Sequence, residues 1–186
     1  MSTFAAALVR GSSNKWFSAE IDLSTAADID EVADQLRDVD IDADVSLLFV
    51  ESDDTYLAIL RLDAGEDLRV FGSDRAFIEE SRLGAILLGD LDDSGLEIDD
   101  VVADADDDPD DDEDGDTDDD TEEPLTAPAP ADADPAGDAD LLADLGVPAR
   151  RLLDLCTQEG MLPADITAEI CQALGCPDSI EELREV

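Results

Sequence analysis

The sequence predicts an α+β protein: an N-terminal antiparallel β-meander sheet with packed helices, then a disordered acidic linker and a small C-terminal helical unit. Short apolar runs bounded by turn residues dominate the first part of the chain, and such runs are typical of strands. Apolar residues at helical spacing dominate the part after residue 139. Between them, residues 104–123 are almost all Asp and Glu, and no Lys or Arg lies between Arg82 and Arg150.

The acidic stretch divides the chain into an α+β domain over residues 1–91, a linker over 92–138 and a helical unit over 139–186. The linker range holds 23 of the 53 acidic residues and no basic residue. Such a segment cannot bury apolar surface and its charges repel, so we expect an extended, solvated tether. A flexible coil of this length spans roughly 35–40 Å.

The chain is expected to begin with a β-hairpin. Residues 3–10 are apolar, and Gly11 to Asn14 supply turn residues behind them. Residues 15–23 then alternate, with Phe17 and Ile21 on one face and polar side chains on the other. This pattern is typical of a half-buried strand paired with the run before it.

An amphipathic helix follows over about residues 28–39. Asp28 and Glu31 have the spacing of a capping box. Behind them Val32, Leu36 and their apolar neighbours recur near helical spacing.

Three further strands form the predicted meander, over residues 45–51, 56–62 and 68–71. The first of them (VSLLFVE) is nearly all apolar, which indicates a central strand covered on both faces or nearly so. Residues 83–88 are ambiguous, and we assign them to another strand. The domain of about 90 residues is large enough for one modest core.

The C-terminal unit is punctuated by Gly shortly before Pro at three places. Gly ends one helix in the left-handed conformation and Pro opens the next at its first turn. This predicts four short helices, over about 139–145, 148–159, 163–174 and 178–185. A unit this small is near the lower limit for folding alone. We therefore expect it to dock on the N-terminal domain, on a partner or on a second copy.

The charge of the chain restricts its partners. The net charge is −43, and each of the three segments is acidic by itself. A nucleic-acid binder usually has a basic face, and an anionic membrane would repel this chain. No direct nucleic acid and no membrane are therefore expected as partners, and a basic or neutral protein is favoured. The sequence shows no signal peptide and no transmembrane segment, so a cytoplasmic location is expected.

Residue types also restrict the chemistry. The chain has no histidine, which excludes Ser-His and Cys-His nucleophile systems and His-ligated metal sites. Residues 110–115 match the start of a calcium loop, but the position that needs a bidentate Glu is Thr121. The sequence therefore predicts no catalytic residue, no metal site, no cofactor and no enzyme activity.

The three cysteines are clustered near the C-terminus without a C-x-x-C spacing, so they do not form a structural zinc site. We expect reduced thiols. Cys156 and Cys171 fall on helix faces, where they would pack as small hydrophobes. Cys176 is expected to be exposed in a Gly-Cys-Pro turn.

Four residues are candidates for partner binding: Trp16, Tyr56, Arg61 and Arg69. Trp16 is the only Trp, and the two arginines lie on neighbouring predicted strands of an acidic domain. One interpretation is aromatic edge packing with ion pairs inside the chain. The other is a protein-docking patch, because exposed aromatic residues and Arg are enriched where partners bind.

Several strings resemble those of a known family. They are VSLLFVE, YLAILRLD and RVFGSD in the first domain, and LLADLGVPARRLLDLC and EGMLPADITAEI in the last unit. Together they resemble the actinobacterial tRNA adenosine deaminase-associated proteins, over residues 1–90 and 139–186. The resemblance implies association with the tRNA adenosine deaminase, a zinc enzyme that makes wobble inosine, and it implies no catalytic residue. A deaminase itself needs H-x-E and P-C-x-x-C motifs, which this chain lacks.

The sequence leaves the oligomeric state unknown. It also leaves three hypotheses of function open. The first is a non-catalytic accessory protein that binds or regulates the deaminase. The second is an acidic nucleic-acid mimic, in which residues 104–123 would occupy the basic tRNA groove of an enzyme. The third is an uncharacterised carboxylate-dependent enzyme. The first is favoured because the recognisable sequence lies in the flanks and not in the acidic stretch.

Overall fold

The apolar runs of the first domain pair into one antiparallel sheet with the strand order β2-β1-β3-β4-β5-β6. A computed structural model describes residues 3–12, 14–52, 55–76, 80–89, 135–158 and 160–184. The strands are β1 (Thr3–Gly11), β2 (Trp16–Glu20), β3 (Ala43–Ser52), β4 (Tyr56–Asp63), β5 (Asp67–Gly72) and β6 (Ala136–Gly137). The predicted hairpin and meander are thereby confirmed, and with them the α+β class.

The sheet is buried on both faces at its centre, as the near-continuous apolar run of β3 predicted. The last eight residues of β3 are buried, and so are six consecutive residues of β4. Because side chains alternate along a strand, successive residues of these runs enter two different cores. Leu47 and Phe49 enter one core, and Leu48 and Val50 enter the other.

Helix α1 (Ile29–Val39) covers one face of the sheet. The Asp28 side chain accepts a hydrogen bond from the Glu31 N–H, as the capping box predicted. The Glu31 carboxylate reaches back one residue further than that motif requires and accepts from the Ala27 N–H at 2.7 Å. Both bonds supply acceptors for backbone donors at the start of the helix.

Residues 83–88 form a helix, so their assignment to a strand is wrong. Helix α2 (Arg82–Leu88) begins where the Ser81 hydroxyl accepts a hydrogen bond from the Gly84 N–H at 2.7 Å. Leu87 and Leu88 are buried against the same core as α1. The short run is apolar at nearly every position, so its periodicity could not separate a buried strand from a buried helix.

The C-terminal unit docks on the opposite face of the sheet. It starts with β6, which pairs with β5, and continues with a 3-10 helix (Ala139–Leu145) and helices α3 (Ala149–Thr157), α4 (Pro163–Leu174) and α5 (Glu181–Arg184). Its Leu141, Leu152 and Ile170 share one core with Phe49 and Phe71 of the sheet. The sequence left three docking partners open for the C-terminal unit. The structure shows that it docks on the N-terminal domain.

The described part of the chain therefore has three layers, with the sheet in the middle. Residues 135–138 fall in the range predicted as linker, yet they lie against β5, where the Asp138 N–H donates to the Val70 carbonyl at 2.8 Å. The acidic stretch of residues 104–123 lies outside the described residues. Within the described ranges, none of the helices has the length and apolar character needed to span a bilayer.

The predicted glycine stops occur in the C-terminal unit. Gly146, Gly160 and Gly175 have φ values of 97°, 82° and 82°, a conformation that side chains with a Cβ rarely adopt. Behind Gly175, the Cys176 N–H donates to the Cys171 carbonyl at 2.9 Å, which closes the end of α4. Pro163 opens the same helix at its first turn.

Candidate functional site

Trp16 lies at the start of β2 and joins the sheet to the C-terminal unit. Its indole Nε1–H donates to the Leu174 carbonyl at the end of α4, at 3.0 Å. The guanidinium carbon of Arg10 lies 4.9 Å from the centroid of the ring. Trp16 is half-buried and packs against the core under the C-terminal helices. Its hydrogen bond therefore helps to hold α4 on the sheet.

Arg61 also joins the two parts, from the middle of β4. It is 4% exposed. Its guanidinium donates to Asp63 at 2.9 Å, to the Leu141 carbonyl at 2.5 Å and to both carboxylate oxygens of Asp144. The Asp144 hydrogen bond is the main cause that raises the pKa of Arg61 although burial opposes it, and the same bond lowers the pKa of Asp144.

Arg69 is the direct cross-strand neighbour of Arg61. Its Nη2 donates to Asp63 at 2.8 Å, and its Nη1 lies 3.7 Å from a carboxylate oxygen of Asp138. The two like charges thus share one carboxylate, that of Asp63. Together with Asp144, these groups fasten the beginning of the C-terminal unit to β4 and β5.

Tyr56 lies at the start of β4 and packs against the core that contains α1 and α2. Its hydroxyl donates to the Glu80 carboxylate at 2.5 Å. This hydrogen bond, helped by burial and by the negative charge of Glu80, raises the pKa of Tyr56 to about 12.

The structure brings two of the four candidates together. Arg61 and Arg69 are neighbours on one face. Trp16 belongs to the same face but to the strand at the far edge of the sheet, and Tyr56 packs against the opposite core. Trp16 is separated from the two arginines by the order of the strands, and Tyr56 is separated from them by the alternation of side chains along β4. The spatial order of the strands could not be read from the sequence.

A further connection between the two parts was not anticipated from the sequence. Glu51 of β3 is 9% exposed and pairs with Arg184 of α5. The guanidinium carbon of Arg184 also lies 5.2 Å from the centroid of the Phe4 ring. The sequence did contain one sign of this ion pair, a carboxylate inside the apolar run of β3. A buried charge needs a partner of opposite charge.

The thiols are more enclosed than predicted. Cys171 is fully buried, as expected, and Cys156 is partly buried against the same core. The expectation that Cys176 is exposed is wrong, since it is 8% exposed and packs where the chain folds back over the end of α4. Burial raises the pKa of Cys156 to about 12, and a hydrogen bond with Cys176 raises the pKa of Cys171. These two thiols are therefore poor nucleophiles at neutral pH.

Two of the concave surfaces formed by the described residues adjoin these connections. The first has a volume of about 400 Å³ and lies between the end of β2 and α2; its apolar lining includes Phe4, Ile21, Leu23, Leu83 and Ile86. We call it the α2 groove. The second has a volume of about 480 Å³ and is more polar; its lining includes Arg10, Lys15, Trp16, Cys176 and Glu182. Over the described ranges, no three His, Cys, Asp or Glu side chains converge as metal ligands would.

Comparison with known families agrees with the resemblance seen in the sequence. A family model described as Rv3753c-like tRNA adenosine deaminase-associated protein matches residues 3–177. No curated protein and no solved structure matches the chain. The match begins at β1 and extends past α4, so it takes in both folded parts that Trp16 and Arg61 hold together. The chain therefore belongs to the Rv3753c-like tRNA adenosine deaminase-associated protein family.

Proposed function

We propose that this chain is a non-catalytic accessory protein that acts by binding the tRNA adenosine deaminase. The observation on which the proposal depends is the family match over residues 3–177, whose description names an association with that enzyme. The match covers the sheet and the C-terminal unit as far as the end of α4. A surface of the assembled three-layer body is therefore the natural contact.

Charge favours contact with the enzyme over contact with its RNA. The net charge is −43, so the phosphate backbone of a tRNA would be repelled. A protein that grips tRNA needs a basic surface. An acidic chain is electrostatically complementary to such a surface, which speeds encounter and suppresses wrong partners.

The α2 groove supplies a docking surface of suitable chemistry. It is concave, about half of its lining is apolar, and the charged side chains of Arg82 and Glu20 also line it. Interfaces commonly bury apolar anchors in such depressions, with polar groups around them. We place an apolar side chain of the deaminase in this groove.

Partner binding by Trp16, Tyr56, Arg61 and Arg69 stays a prediction. Each of the four contacts other parts of the chain, and Arg61 is 4% exposed. A substitution at any of them would disturb the fold as well as a partner. They are therefore poor positions for a first test of binding.

The proposal is tested by pull-down of the purified deaminase with the full chain at physiological salt. Leu83→Asp puts a carboxylate into the α2 groove, whereas Ala85→Asp puts one on the exposed side of the same helix. We expect the first variant to weaken binding by about tenfold or more, the usual loss at an apolar anchor, and the second to bind as the unchanged chain does.

Two results would count against parts of the proposal. If the unchanged chain recovers no deaminase, the proposed function is wrong. If it recovers the enzyme and both variants do so equally, the function stands and the groove is not the contact. A chain lacking residues 104–123 completes the set, because loss of binding in that deletion would favour the acidic mimic.

A further inference from the structure

The outer edge of the sheet at β2 is open in the described part of the chain. β2 is the first strand in the sheet order, and among the described strands it pairs with β1 alone. An edge strand presents a row of backbone donors and acceptors to which another strand can add. The question is which strand fits this edge.

The pairing with β1 identifies the groups that point outward. The Ile21 N–H donates to the Ala5 carbonyl at 3.0 Å, so this pair exchanges hydrogen bonds. In an antiparallel ladder, hydrogen-bonded and non-hydrogen-bonded pairs alternate. Counting back in steps of two along the register, Ala19 and Phe17 bond to β1. The N–H and C=O groups of Trp16, Ser18 and Glu20 therefore point away from the sheet.

The charges along this edge are complementary to those of a second copy that runs antiparallel to it. At one end the strands carry basic side chains, with Lys15 exposed and Arg10 stacked over Trp16, although Glu182 of α5 lines the same surface. The other end is acidic, with Glu20 and Asp22 both exposed. Turning a second copy through 180° about Ser18 brings the basic end of one strand beside the acidic end of the other.

The same rotation covers an exposed apolar side chain. Phe17 is 62% exposed, although Val9, its cross-strand partner in β1, is 1% exposed. With Ser18 opposite its own copy, Phe17 faces Ala19 of the partner subunit in a non-hydrogen-bonded pair, where side chains approach most closely. A large ring against a small side chain can pack there without a clash.

We propose that β2 pairs antiparallel with β2 of a second copy of this chain, with the two-fold axis at Ser18. Trp16 then exchanges backbone hydrogen bonds with Glu20 of the partner subunit, and the two six-stranded sheets become one. Such a contact is isologous, so each matching interaction occurs twice. The inference goes beyond deaminase binding and does not depend on it.

The pairing is expected to be weak, because the paired strand is short and both chains are strongly acidic. The strand has five residues and the whole chain carries a net charge of −43. Small interfaces of this kind have dissociation constants on the order of micromolar to millimolar. Salt screens both the repulsion between the two acidic bodies and the attraction between the oppositely charged strand ends.

The first test is sedimentation of the full chain across concentrations up to about 1 mM. The mass is expected to rise from 19.8 kDa toward twice that value. Ser18→Pro removes an outward N–H that β1 does not use, so the monomer keeps its ladder while the second strand loses a donor. We expect this variant to dimerise at least about tenfold more weakly. A mass of one chain at every concentration would overturn the proposal.

The second test fixes the register and does not depend on how Ser18→Pro folds. In the proposed pairing the two Ser18 Cα atoms lie about 5.5 Å apart, within disulfide range. The two Glu20 Cα atoms are offset along the paired strands by several residues, which is beyond that range. Under mild oxidation Ser18→Cys should form a covalent dimer at least about tenfold faster than Glu20→Cys. The native cysteines are a common background in both variants. Equal rates, or a faster Glu20→Cys, would show that this edge does not pair as proposed.

Discussion

At the scale of single residues, the two parts of the chain are joined by a few polar groups set into apolar surroundings. Arg61 shows the principle, since a guanidinium buried in an apolar strand must find acceptors. It finds them on Asp144 and on the Leu141 carbonyl, which lie 83 and 80 residues further along the chain. The buried charge therefore selects one position for the C-terminal unit.

Removing Arg61 should destabilise the fold. Arg61→Ala leaves the buried Leu141 carbonyl without its charged donor, and we expect a loss of about 2–3 kcal/mol in the free energy of unfolding. Arg151→Ala is the control, because its 3.4 Å pair with Glu169 is about half exposed and is worth at most about 1 kcal/mol. Denaturant unfolding followed by the fluorescence of Trp16, the sole Trp, measures both. Equal losses in the two variants would contradict this account.

Tyr56 gives a pH-dependent prediction. Its pKa is raised from 10.0 to about 12, so the folded state retains a proton that the unfolded state loses. The resulting stability is fully present below pH 10 and is lost as the pH rises from 10 to 12.

The chain has one Tyr, so its ultraviolet absorbance titrates this residue alone. We expect a midpoint near 12, and a midpoint shifted back toward 10 in Glu80→Gln, which removes the charged acceptor. The chain unfolded in denaturant is the reference. If the folded protein and the Glu80→Gln variant titrate together, the Tyr56–Glu80 hydrogen bond does not persist in solution.

At the scale of elements, α2 is placed on the sheet by a close approach at Gly72. A Cβ at this position would lie 2.7 Å from Cδ1 of Leu88, which is fully buried. The position therefore needs Gly for space and not for backbone conformation. This contact also fixes one wall of the α2 groove, because Leu83 and Ile86 lie on the same helix.

Gly72→Ala should crowd this contact and destabilise the protein by about 1–3 kcal/mol, as overpacking does. Leu88→Ala leaves a cavity and should cost about 2–5 kcal/mol. In the double variant the new methyl group occupies part of that cavity, so the combined loss should be smaller than the sum. A double-mutant cycle from denaturant unfolding measures the difference. Strict additivity would show that Gly72 and Leu88 do not meet.

At the scale of the whole molecule, the sheet and the C-terminal unit are one cooperative body. Phe49, Ile59 and Phe71 of the sheet share a core with Leu141 and Ile170. Without the C-terminal unit this face would be a broad exposed apolar surface, which soluble monomers rarely carry. The two parts therefore bind each other through contacts that do not involve the acidic stretch.

This predicts that cutting the connection leaves the body intact. A protease site placed within residues 104–123 of the full chain should allow complete cleavage, after which the two pieces co-elute in gel filtration. The shared core, the β5–β6 pairing and the Arg61 ion pairs hold them. Arg61→Ala in the cut protein should speed their separation. Immediate separation of the unchanged pieces would show that the connection itself maintains the contact.

Much of the local structure could be predicted because its causes are local. The alternation of Phe17 and Ile21, the cap at Asp28 and the left-handed glycines act within a few residues, and the hairpin, α1 and the helix ends followed from them. The failure at residues 83–88 has the same origin, since a short run without periodicity contains no local signal that separates helix from strand. The candidate residues were recognisable by type, but their partners were not.

The sequence by itself determined the α+β class, the N-terminal hairpin, the meander and helix α1, and it shows an acidic stretch and no histidine. Only the tertiary structure decided that the C-terminal unit covers one face of the sheet and that Arg61 belongs to Asp144. It also decided that β2 is an edge strand of the described sheet, with Phe17 exposed. Local propensity acts over a few residues, whereas these contacts join residues far apart in the chain. They exist because two apolar faces and a buried charge are satisfied only when the sheet and the helices come together.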